Sequence, residues 1–136
     1  MTVGLLIISH NRIGAELLST ASATLGVCPL ATAVLPVMPD SDPEALVAKA
    51  RHMVAELEQG DGVLVLTDVY GSTPSNIANR LSDCKQVRVV AGLNLPMLIR
   101  VLNYPRLSLP ELVEKAISGG RNGILLCPTG AEEEEE

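Results

Sequence analysis

Phenylalanine and tryptophan are absent from this 136-residue chain, and tyrosine occurs only twice. The core must therefore be aliphatic, built from Leu, Val, Ile and Ala. The same poverty removes the aromatic platforms on which single-stranded nucleic acid stacks its bases. Basic charge is scarce as well. The formal net charge is −6, and five of the 16 acids are Glu132 to Glu136. The remaining 11 acids face 10 bases, so the body lacks the basic footprint of a phosphate-backbone binder. The terminal stretch 131–136, AEEEEE, reads as a solvated, disordered tail, because like charges repel and nothing apolar accompanies them.

Cysteine is sparse. Cys28, Cys84 and Cys127 stand far apart and form no C-x-x-C pair. Neither a disulfide framework nor a zinc site is suggested, and the three read as small buried or half-buried hydrophobes in a reducing cytosol. No segment approaches the ~18 uninterrupted apolar residues of a membrane span. The N-terminus shows no basic region followed by a long apolar run and cleavage site, so no signal peptide is read there.

What the chain does hold is 47% hydrophobic residues, arranged in runs that alternate with helical patterns. The strands expected are 2–9, 29–37, 62–69, 86–93 and a short last one over 122–128. Between them the spacing predicts helices over 12–26, 42–60, 73–83, 94–103 and 108–120. Gly26 fits a C-cap, Asp42 and Asn94 fit N-caps, and Ser108 with Glu111 fits a capping box. Thr73 reads as the cap of the third helix with Pro74 behind it. In the second helix Leu46, Ala50, Val54 and Leu57 form one stripe. Strands apolar throughout and separated by helices indicate an α/β fold: an open, doubly wound, mostly parallel sheet with helices on both faces. One domain over 1–130 accounts for everything but the tail.

In such folds ligands bind beyond the carboxyl ends of the strands, at the topological switch point. His10 lies just past the first strand, and Asp68 lies at the end of the third. If those strands are neighbours, the two side chains meet in one crevice. A lone histidine is ordinarily structural or merely exposed. His10 is favoured by its place, by the company of Asp68 and by the absence of a rival, since His52 falls on the solvated face of a helix. A carboxylate accepting from one ring nitrogen would fix the tautomer and leave the other nitrogen as a nucleophile. Asp68 alone could also simply cap the next turn.

The run Tyr70-Gly71-Ser72-Thr73-Pro74 follows at once. Gly71 allows close backbone approach, and Ser72 and Thr73 offer hydroxyls at a helix start, where free N–H groups suit a phosphate. An ordinary N-cap with proline is the plainer reading, and both can hold. Neither a Walker loop nor G-x-G-x-x-G is present. A nucleophilic histidine, a carboxylate and a phosphate-friendly helix end together suggest a protein that accepts a phosphoryl group and passes it on.

The blocks VGLLIISHNRIGAELL, GVLVLTDVYGSTPSNIANRL and VVAGLNLPMLIRVL resemble the three signature blocks of the IIA domain of the mannose/fructose/sorbose class of the bacterial phosphotransferase system. The resemblance covers about residues 2–128. It implies a cytoplasmic domain, needing no cofactor, that is phosphorylated on histidine by the phosphocarrier HPr and hands the group to a IIB-type acceptor or a regulatory protein. Contact with a membrane would be indirect, through a transporter complex. His10 matches the phosphorylated histidine, Asp68 its supporting acid, and Thr73 the Ser/Thr of the loop. The resemblance further implies a homodimer in which the C-terminal strand, here NGILLC, adds antiparallel to the partner's sheet. Two positions depart from the pattern. Asn11 stands where the family commonly has glycine, and Ser72 where it has the second glycine of the loop. Asn tolerates unusual backbone angles better than most residues. With no IIB segment fused, the acceptor would be a separate chain.

Three rivals stay open. A receiver-like domain phosphorylated on Asp68 would need an acidic pair after the first strand, where Ser9-His10 stand. A Ser-His-Asp hydrolase using Ser72 or Ser75 would need a G-x-S-x-G elbow. A binding module that keeps the fold and has lost transfer fits Asn11 and Ser72.

Overall fold

Two four-residue runs, Leu5-Leu6-Ile7-Ile8 and Val63-Leu64-Val65-Leu66, have zero solvent exposure at every position. A strand buried on both faces must lie inside a sheet covered by helices on each side. The computed structural model, which describes residues 2–84 and 86–128, has that architecture. Its strands are β1 (Gly4–His10), β2 (Thr32–Val37), β3 (Val63–Thr67) and β4 (Val87–Ala91). Its helices are α1 (Ile13–Leu25), α2 (Pro43–Leu57), α3 (Thr73–Asn79), α4 (Leu95–Leu102) and α5 (Leu109–Asn122). The four strands form one sheet in the order β2-β1-β3-β4, parallel throughout.

That order reverses direction after β2, and right-handed crossovers then put the helices on opposite faces. Leu5 and Ile7 of β1 and Leu64 and Leu66 of β3 pack with Ala21 of α1, with α4 and with α5. Leu6 and Ile8, with Val63 and Val65, pack with α2 and α3. Alternation along each strand thus feeds two aliphatic cores. Full burial of each such side chain stabilises the fold by about 1.5–3 kcal/mol. The close seat of α1 depends on Gly14, where a β-carbon would stand 2.6 Å from Ile7 Cγ2 and 2.7 Å from Ser9 Oγ. No helix among the described residues is long and apolar enough to cross a membrane.

Most helix ends follow the local chemistry. Gly26 closes α1 in the left-handed region, Asp42 and Asn94 cap α2 and α4, and Ser108 with Glu111 forms a capping box on α5. Four expectations need correction. The cap of α3 is Ser72, not Thr73, which is the first helical residue; Ser-Thr-Pro offers two adjacent candidates, and it is Ser72 that has the extended backbone of a cap, φ −90 and ψ 173. In α2 the buried stripe is Val47, Ala50, Val54 and Leu57, with Leu46 only half-buried against the same core. Cys28 and Cys127 are exposed, and only Cys84, which packs against the core beneath α2 and α3, is half-buried. The last strand is not formed within the chain: α5 continues to Asn122, and residues 124–128 have no regular structure. A strand needs partners for its N–H and C=O groups; the Ile124 N–H instead turns back to the Arg121 carbonyl at 3.1 Å, and Ile124, Leu125 and Leu126 are exposed. The acidic stretch 131–136 lies outside the described residues.

Candidate active site

β1 and β3 are direct neighbours, with Ile8 opposite Thr67. Their next residues therefore emerge together at the seam where the sheet order reverses. Asp68 is placed there by its backbone, whose carbonyl accepts from Gly92 N–H at 3.1 Å. Its side chain is nearly buried, at 8% exposure, against 42% for His10.

Asp68 Oδ2 accepts two hydrogen bonds from one residue: the His10 backbone N–H at 3.0 Å and ring Nδ1 at 2.8 Å. Oδ1 accepts from the Val69 N–H at 2.9 Å. Burial pushes this carboxyl up, but the His10 N–H, the His10 ring and the Val69 N–H outweigh it and hold it below the usual carboxylate range. An ionised carboxylate only accepts, so Nδ1 carries the hydrogen, and in the neutral ring Nε2 then keeps its lone pair. No hydrogen-bond partner of Nε2 is present among the described residues. The pair is thus an oriented imidazole whose free nitrogen is open to attack an electrophile.

Asn11, the next residue, has φ +50. Its N–H donates to Val37 carbonyl at 3.0 Å, tying the turn after β1 to the end of β2. Ser9 is fully buried and its Oγ accepts from Gly14 N–H at 2.9 Å, so the residues on both sides of His10 are fixed. His10, Asn11 and Thr73 line one cavity of about 390 Å³. Its opposite wall is the connection after β2: Val37, Met38, Pro39 and Ser41. Sequence reading assigns that connection no role. The available signal is that Val37 ends a strand beside β1, where its register partner is His10 itself.

Gly71 and Ser72 do not line the cavity. Gly71 has φ +85 and donates its N–H to Ser75 Oγ at 3.2 Å. Ser72 Oγ donates to the Val69 carbonyl at 2.5 Å. The serine that replaces the family's glycine therefore turns its hydroxyl into its own loop. His52 lies on an exposed face of α2, 3.0 Å from Glu56. A larger cavity, about 450 Å³, lies at the β4 margin between Val89, Gly92, Asn94, Ile117, Arg121 and Ile124. It brings together no pair of titratable groups.

The architecture and the chain's residues agree with known proteins. Residues 4–117 match the family described as PTS system fructose IIA component, EIIA-man. The mannose-specific EIIAB component of the phosphotransferase system of Escherichia coli K12 is 34% identical over 129 residues, covering 91% of this chain and 39% of that protein. The chain thus spans about two fifths of the length of that relative. The fructose-specific EIIA component of Bacillus subtilis 168 is 27% identical over 86 residues, covering 62% of this chain and 59% of that protein. Among solved structures, the mannose/sorbose-specific IIA subunit of Enterococcus faecalis superposes with a TM-score of 0.84 at 28% identity, covering 95% of this chain and 97% of that one. With its three blocks carried on this parallel sheet, the chain belongs to the mannose-class IIA family of the phosphotransferase system.

Proposed function

We propose that the chain is a phosphohistidine carrier, with His10 Nε2 as the atom that holds the phosphoryl group. The observation that carries this reading is the 2.8 Å bond from Nδ1 to a buried carboxylate, with the opposite nitrogen left open at a cavity. In the forward step the Nε2 lone pair attacks phosphorus. The bond from phosphorus to the donor atom breaks, and its electron pair leaves with the donor. The ring gains positive charge while keeping its Nδ1 proton, and Asp68 stabilises that charge. Return of the group to an acceptor reverses the same motions. Alignment and charge stabilisation are what phosphoryl transfer mainly requires.

HPr is the donor in this reading, and a IIB-type protein or a regulatory protein is the acceptor, in the cytoplasm. The rim supports a protein as reactant. Ile13, Met38, Val69 and Tyr70 are all exposed large hydrophobics, and each lies within three residues of a residue at the site. A single domain over 1–130 carries the whole of this chemistry.

The chain acts as a homodimer in the same reading. Among the described residues β4 pairs only with β3, so its outer edge is open. Ile124 shares a cavity with Val89 and Val90 of β4 and is exposed, as are Leu125 and Leu126 after it. An open edge next to an unpartnered apolar segment is an aggregation hazard unless another chain covers it. Exchange of 124–128 between two copies, antiparallel to β4, covers both.

Incubation with phosphoenolpyruvate, enzyme I and HPr tests the carrier. One acid-labile, base-stable phosphate per chain is expected, abolished by His10→Ala and kept by His52→Ala. A serine ester or an acyl phosphate on Asp68 contradicts it. No incorporation at all identifies a binding module that has lost transfer.

A further inference from the structure

We propose that Asn11 is a catalytic residue: its side-chain carboxamide donates a hydrogen bond to the phosphoryl group as it arrives on His10 Nε2. This rests on the carrier reading above and adds a specific donor to it.

Asn11 occupies the left-handed region at φ +50. Glycine adopts that conformation freely, whereas a side chain there costs of order 1 kcal/mol, least for Asn and Asp. The turn itself needs only the backbone, since the Asn11 N–H holds the Val37 carbonyl. The side chain is therefore not required by the fold. It lines the cavity that His10 and Thr73 share, and among the hydrogen bonds of the described residues none uses its carboxamide.

The composition of the cavity wall gives that carboxamide a task. No lysine or arginine lines it; its polar side chains besides His10 are Asn11, Ser41 and Thr73. Ser41 Oγ accepts from the Met38 N–H at 3.0 Å and keeps its own O–H to donate. A phosphoryl group carries about two negative charges near neutral pH. In this wall it meets only neutral donors, of which the Asn11 amide belongs to the residue next to His10 in sequence. The reaction is the one written above: Nε2 forms its bond to phosphorus, the donor departs with its electron pair, and Asn11 Nδ2–H donates to an equatorial phosphoryl oxygen without giving up its proton.

Two substitutions separate this from a backbone role. Asn11→Gly keeps the left-handed turn and removes the amide. Asn11→Asp keeps the shape and puts a carboxylate, which only accepts, against the incoming anion. Transfer is measured from phospho-HPr and, independently of any protein donor, from phosphoramidate. Asn11→Gly is expected to lower kcat about tenfold and Asn11→Asp about a hundredfold, from the worth of a hydrogen bond to a charged group. The KM for HPr should stay within about twofold, and the ³¹P resonance of the phosphohistidine should shift in both variants. Melting temperatures no lower than the parent's in Asn11→Gly exclude a folding effect. A glycine variant that transfers as fast as the parent, or faster, overturns the proposal, as does an aspartate variant with the parent's rate. If the parent takes phosphate from phosphoramidate but not from phospho-HPr, the HPr reading fails, and the variants' phosphoramidate rates still decide Asn11. A parent that neither donor can load on His10 overturns both.

Discussion

The β1/β3 seam and the outer margin of β4 each combine exposed apolar side chains with a cavity, yet they differ in what the backbone brings together. At the seam, two strands 58 residues apart in sequence end side by side and aim an imidazole and a carboxylate at each other. At the β4 margin the cavity is larger, but Asn94 is consumed by Met97 N–H and the Gly120 carbonyl, and Arg121 stands without an acid in the wall. Chemistry follows the convergence of titratable groups at a topological switch point, not cavity volume. The β4 margin has instead what an assembly surface needs: a strand edge unpaired among the described residues, and exposed Ile124, Leu125 and Leu126.

Three changes break this contrast at different points. The largest effect belongs to Asp68→Asn. An amide can present its N–H to Nδ1 and favour the wrong tautomer, so phosphoryl transfer should fall about a hundredfold with the fold intact. Unchanged rates in a quench-flow assay would remove Asp68 from the mechanism. Next is Leu125→Asp at the opposite margin. A charge there should weaken self-association about thirtyfold, near 2 kcal/mol, with the initial rate of His10 phosphorylation within about twofold. Analytical ultracentrifugation checks the first part, and a dimer of unchanged affinity would show that 124–128 is not its seam. The smallest effect is on acid stability. Asp68 is held below its ordinary value of 3.8. Its contribution is therefore fully present above that value and is lost as pH falls through the lower folded-state pKa. The gap in melting temperature between the parent and Asp68→Asn should close below about pH 4. A gap that persists at lower pH would mean that the amide acts by packing.

The same contrast decides how much could be read in advance. β1 and β3 are legible because residues buried on both faces leave uninterrupted aliphatic runs, and the strand ends then mark His10 and Asp68. Their meeting depended on β1 and β3 being neighbours, which no local pattern states and the sheet order supplies. The wall made by Met38, Pro39 and Ser41 has no hydrophobic period, so only the register of Val37 against His10 reveals it. Residues 122–128 read as a strand because they are apolar and short. In one chain that segment pairs with no strand, and Asn122 instead extends α5. Sequence patterns record the burial a segment seeks, and they do not say from which chain it comes.

The most direct measurement is a long-range ¹H–¹⁵N correlation of the histidine rings before and after phosphorylation by HPr. The account predicts that His10 begins as the Nδ1–H tautomer, that phosphorus couples to its Nε2, and that Nδ1 keeps its proton throughout. Phosphorus on Nδ1 of His10, on His52, or on no ring nitrogen would contradict it.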